Sequence, residues 1–241
     1  KDSLLIILQL TLCLFHSAFP VMAGDALWQR AVAISAYNRD VVPGNWVERE
    51  EVFNADGESH LVSRRRVSFQ QMGSKVSIRL IDATSNGINI TEQLRDNFDE
   101  IRSQFSMKPQ YNPFQPANQK SVSAKRDGRT RRDGEQILIA YDYTQKTEDG
   151  QWRGAAWIDE ATGMPIELTA RLTGLPAMDG KDEIHETVLN VHLESGPESL
   201  WHTSKIILFT RATLNNFPYA KFYSTIEKAI TLDNHWKISF Q

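Results

Sequence analysis

Residues 134–172 read GEQILIAYDYTQKTEDGQWRGAAWIDEATGMPIELTARL, and the fold turns on this stretch. Ile137, Ile139, Tyr141 and Tyr143 alternate with smaller or polar residues. That period-two pattern predicts a strand with one buried face. Asp149-Gly150 predicts a tight hairpin turn, because glycine takes positive φ without steric cost. A second extended run over 151–158 ends at Asp159, and Ala161-Thr162-Gly163 predicts another turn. Met164, Ile166, Leu168, Ala170 and Leu172 form a third alternating run. Together these runs predict an antiparallel meander, apolar on one face and charged on the other. Such a face needs a cover, of protein or of ligand, and the nature of that cover decides what the molecule does.

Further strands flank the meander on both sides. Runs over 46–54, 59–71 and 75–82 are joined by Asp56-Gly57 and Gly73-Ser74 and followed by Asn86-Gly87, so they predict a second meander. In it, Val76, Ile78 and Leu80 share a face, as do Leu61, Val67 and Phe69, with Arg65 among the latter. A short strand over 122–127 is expected to end at an Asp127-Gly128 turn, which places Arg129, Arg131 and Arg132 in a solvated turn region. Strands are expected over 183–194, 200–214 and 235–240. Residues 220–232 fit a helix through Phe222, Ile226 and Ile230, and fit a strand equally well by even spacing. The surrounding β pattern favours the strand. Two stretches are helical. Asp25 caps a run with Leu27, Trp28, Ala31, Ile34 and Ser35 at helical spacing, and Thr91 caps a run to about Met107 with Leu94, Phe98, Ile101 and Phe105 in one stripe. Residues 108–120 read as a long proline-rich loop in which Tyr111 and Phe114 plug something apolar or pin the loop down. Without repeats or a linker, residues 24–241 are expected to form one domain.

The chain has 41% hydrophobic and 24% charged residues, the proportions of a globular protein, and a formal net charge of −3 offers no electrostatic case for nucleic acid. Lys1, an apolar run from Leu4 to Phe19 and the small residue Ala23 before Gly24-Asp25 predict a secretory signal peptide over 1–23. The run is shorter than the roughly 20 residues that span a bilayer. The single cysteine, Cys13, lies inside it, so a chain cut near Ala23 has no thiol or disulfide chemistry. Export without disulfides suits a bacterial periplasm.

Catalytic signals are weak. His60, His185, His192, His202 and His235 show no metal-ligand spacing, and no nucleophile elbow or phosphate-binding glycine loop is present. Asp142, Asp159 and Glu160 could pair as hydrolase carboxylates. Asp159-Glu160 falls at a hairpin tip and Asp142 on a polar face, so solvated turn and surface residues account for them. Arg65 stands out, since a charge on an apolar face is costly unless paired or functional. It would pair with Glu48 or Glu50 on the neighbouring strand, or meet a lipid head group.

Tyr141-Asp142-Tyr143, then Gly154, Ala156, Trp157, Asp159, Thr162, Gly163 and Pro165, and a late Trp236-Lys237, carry a resemblance. They resemble the periplasmic outer-membrane lipoprotein-sorting proteins, the LolA/LolB-like superfamily. The order of signal peptide, helix, meander and helix agrees. The resemblance implies a mainly β (α+β) fold, a strongly curved antiparallel half-barrel sheet covered by two or three helices, with a cavity for acyl chains and no covalent chemistry. The expected lining is Trp46, Phe53, Phe69, Ile78, Leu80, Ile139, Tyr141, Trp157 and Leu168 on strands, with Leu94 and Phe98 on the second helix. Arg65 is the expected head-group contact. The expected function is a periplasmic, monomeric, non-enzymatic carrier of a lipid or lipoprotein acyl chain, without metal or cofactor. The alternative is an envelope domain that uses the same sheet to bind a protein.

Overall fold

The computed structural model describes residues 25–39, 41–42, 44–54, 56–72, 75–95, 112–148, 150–173, 183–195, 200–214, 222–233 and 236–237. Side chains are described for these except at 42, 69–72, 75–78, 183, 214 and from 222 onward. The expected signal peptide, Tyr111 and the Phe98–Phe105 part of the second stripe lie outside these residues.

Helix α1 (Ala26–Tyr37) opens at Asp25, whose carboxylate accepts the Leu27 amide at 2.9 Å. The Asp25 carboxylate also lies beside the Tyr141 hydroxyl. That contact, the Leu27 and Trp28 amides and the positive field of Arg126 hold it below the usual carboxylate range. A depressed folded-state pKa adds stability that is present above the unfolded value and is lost as pH falls through the folded one. Asp25→Asn is therefore expected to flatten the fall of the melting temperature below about pH 4. Asp25→Ala should cost about 1 kcal/mol at neutral pH, measured by chemical denaturation. At the other end of α1, Asn38 donates to the Ile34 carbonyl and accepts the Trp201 amide, tying the helix to a strand far along the chain.

The strands are β1 (Val41–Val42), β2 (Asn45–Phe53), β3 (Ser59–Met72), β4 (Lys75–Ser85), β5 (Ile88–Asn89), β6 (Val122–Asp133), β7 (Gln136–Thr147), β8 (Gly150–Asp159), β9 (Pro165–Thr173), β10 (Glu183–Ser195), β11 (Trp201–Leu214), β12 (Phe222–Asp233) and β13 (Trp236–Lys237). β1 and β13 form a small ladder of their own. The rest make one 11-stranded antiparallel sheet in the order β5-β4-β3-β2-β12-β11-β10-β9-β8-β7-β6. Two meanders, β2–β5 and β6–β12, are joined where β12 pairs with β2. The sheet is curved and open, with β5 and β6 at its two edges.

Local chemistry sets the turns. Asn86 and Gly87 both take positive φ, 46° and 79°, the geometry a two-residue hairpin requires. Asp127-Gly128 behaves differently from its reading as a turn. β6 runs on through it, and 127–129 bulge out of register between Arg126 and Thr130. The Arg129 amide bonds the Asp127 carboxylate, and Gly128 at φ 86° supplies the backbone kink. Arg129, Arg131 and Arg132 thus belong to a strand rather than to a turn. The expected loop over 108–120 also needs correction, since Pro116–Ser121 is a 3-10 helix.

Helix α2 (Thr91–Arg95) follows β5, and its Thr91 hydroxyl accepts the Ala83 amide at 2.9 Å.

Candidate functional site

Antiparallel register partners project from the same side of a sheet, so the ladder sorts side chains into faces. Tyr141, Ala156, Leu168, Val191, Ile206, Ile230, Glu48, Arg65 and Ala83 are successive partners across the sheet. This rung marks the inner face, which carries both helices.

The inner face holds two separate apolar clusters. In the larger, Leu27, Trp28 and Ala31 of α1 pack with Phe114 against Ile139, Tyr141, Trp152, Ile158, Leu168 and Val191. Trp28 is the hub. Its ring centroid lies 4.6 Å from Phe114, 5.5 Å from Tyr141 and 6.4 Å from Tyr143, and its indole N–H donates to the Gln119 side chain at 3.2 Å. Burial raises the pKa of both tyrosine phenols well above the usual value. Phe114, fully buried, is thus a plug that locks the α1 end of the face. The smaller cluster joins Val67, Leu80 and Ala83 to Trp46, Ile90 and Leu94 beneath the start of α2.

Between the clusters the inner face changes character. Glu48, only 3% exposed, faces half-buried Arg65 directly across the β2–β3 ladder. One rung away, Glu50 is the register partner of both Lys228 and Ser63. Val52 and Leu61, half-buried, form the next inner pair and belong to neither cluster. Arg65 shares a face with Val67 as expected, and of the two expected partners, Glu48 and Glu50, it is Glu48 that lies opposite it.

The expected lining residues do not form one group. Ile139, Tyr141 and Leu168 lie in the α1 cluster, where the protein's own Trp28 and Phe114 cover the face. Trp46, Leu80 and Leu94 lie together in the second cluster. Phe69 and Ile78 are register partners of each other, and Phe98 lies outside the described residues. Trp157 and Phe53 require correction, because both project from the outer face. Trp157 neighbours inward-facing Ala156, and its ring is capped by the Arg131 guanidinium at 4.7 Å and that of Arg129 at 5.8 Å. Phe53 follows inward-facing Val52 and is the register partner of Thr225. Residue parity along each strand carries that information, and pooling every strand aromatic discards it.

The carboxylates read as solvated divide as well. Asp142 is exposed and pairs with Arg129 at 2.9 Å. Asp159 is 3% exposed, contrary to expectation. Its carboxylate accepts the Ala161 amide and the Thr162 hydroxyl, while its carbonyl accepts the Gly163 amide. The Asp-x-x-Thr-Gly-x-Pro sequence is therefore a self-bonded hairpin. Arg30 of α1 holds it from outside through the Glu160 and Ala161 carbonyls.

The sequence matches no protein-family model and no curated protein. Among solved structures, a domain from Vibrio parahaemolyticus described as an outer membrane lipoprotein-sorting protein shares 10% identity at a TM-score of 0.39, over 89% of this chain and 94% of that one. A DUF1329 family protein from Desulfovibrio piger shares 9% identity at a TM-score of 0.39, over 90% and 96%. MucB, solved in complex with MucA(peri), shares 9% identity at a TM-score of 0.24, over 88% and 98%. These are similarities of layout, and no binding residue is transferred from them.

Proposed function

We propose that the chain is a non-enzymatic binding or carrier protein for an acyl-chain ligand, a lipid or the lipid part of a lipoprotein, working in the periplasm after export. The ligand lies on the inner face over β2, β3, β11 and β12, between the α1 cluster and the α2 cluster. One observation carries this reading. A single sheet face is covered at each end by a different helix, and half-buried apolar residues with a buried charge lie between the covers. Val52 and Leu61 offer apolar contact there, and Arg65, with Glu48 opposite it in the ladder, is the head-group contact. Each methylene buried is worth about 0.8 kcal/mol, so one long chain suffices for binding without catalysis.

The purified protein is expected to bind a fluorescent fatty acid and to release it to unlabelled palmitate but not to butyrate. Val52→Glu, on the inner face, should weaken probe binding at least about tenfold, since it places a charge where methyl groups stood. Val62→Glu, on the outer face, should leave it unchanged. Thermal melting of both variants establishes that the fold persists. Failure of every long acyl chain to displace the probe would remove the carrier reading.

A further inference from the structure

Among the described residues, neither helix lies on the outer face. Six of its ion pairs share one asymmetry, whereas Arg129–Asp142 leaves both side chains exposed, at 56% and 65%. Arg171 and Arg211 both reach Glu186, Arg64 and Arg66 both reach Asp82, Arg131 reaches Glu167 and Arg49 reaches Glu51. In these pairs the arginine side chains are 39–65% exposed and the carboxylates only 18–28%. The carboxylates lie low on the sheet and the guanidinium groups stand over them. The layer that meets a visitor is therefore cationic, although the whole chain is net −3. Within this layer run half-buried Val188, Ile207 and Phe209, with Arg211 lying 5.8 Å from the Phe209 ring centre.

We propose that this outer face docks a protein with an acidic surface while the inner face is free to hold its ligand. An apolar strip inside an arginine rim is the anatomy of a protein interface, where arginine and aromatic residues are enriched. Arginine suits the task because its planar fork bonds an incoming carboxylate while its inner edge keeps the resident one. The inference stands apart from the acyl-chain reading, since it uses the opposite face.

The test uses the full chain and a fluorescein-labelled poly-L-glutamate peptide, followed by anisotropy at low salt. The quadruple variant Arg64→Gln/Arg66→Gln/Arg171→Gln/Arg211→Gln should bind at least about tenfold more weakly, because exposed charges govern steering and rim affinity. Arg95→Gln, an exposed change on α2, should bind as the parent does. Each glutamine can still donate a hydrogen bond to Glu186 or Asp82, so the fold should persist with a lowered melting temperature, and fatty-acid probe binding should be unaltered. No binding by the parent chain, equal loss in Arg95→Gln, or capture by phosphatidylglycerol vesicles in preference to the peptide would overturn the proposal.

Discussion

Phe114→Ala is expected to destabilise the protein by about 3–5 kcal/mol, read from chemical denaturation. The ring is fully buried and lies 4.6 Å from the Trp28 ring centre, so its removal leaves a hole walled by aromatic groups. The walls cannot collapse to fill it. Trp28 is held by its bond to Gln119, and Gln119 in turn donates to the Pro113 and Gln115 carbonyls. Asn112 adds a second clamp, accepting the Phe114 amide and donating to the Ser35 hydroxyl on α1. An apolar hole of this kind stays dry and accepts small apolar molecules, so the variant should regain part of the loss in benzene-saturated buffer. A cost below about 1 kcal/mol would mean that the ring does not hold α1 against the sheet.

Gly154→Ala is expected to prevent folding at ordinary temperature. A methyl group at this position on β8 would lie 1.9 Å from the Thr169 carbonyl oxygen and 2.6 Å from the Ala170 α-carbon. Both are backbone atoms of β9, so relief requires prising apart the β8–β9 ladder in the middle of the meander. Side-chain overpacking costs about 1–3 kcal/mol when neighbours can rotate away, and here they cannot. Gly128→Ala is the matched comparison. It has φ 86° and nothing within 4 Å of the added methyl, so only left-handed strain of about 1–2 kcal/mol applies. Circular dichroism and yield of soluble protein separate the two. A well-folded Gly154→Ala protein would show that the strands are not held as close as the geometry requires.

Much of the architecture is legible in the order of the amino acids. Period-two runs locate the long strands, since alternation is a property of the extended backbone itself. Asp25 and the apolar spacing behind it mark α1, and the capping bond is present. The β6 bulge is hidden because Asp-Gly reads equally as a turn. Only pairing with β7 on both sides of 127–129 shows that the strand continues.

The amino-acid sequence alone determined that this is an antiparallel β protein with one apolar face, an N-terminal helix against it and a charge, Arg65, set into that face. Tertiary structure alone decided that β12, favoured as a strand by its surroundings, joins the two meanders by pairing with both β11 and β2. It alone decided that Phe114 and Trp28 fill one end of the face, and that the arginines of the other face stand above their carboxylates. The division has a physical reason. Alternation and capping are written in neighbouring residues. Which strands meet, and what covers each side, depends on partners that lie far apart along the chain, as when β2 meets β12.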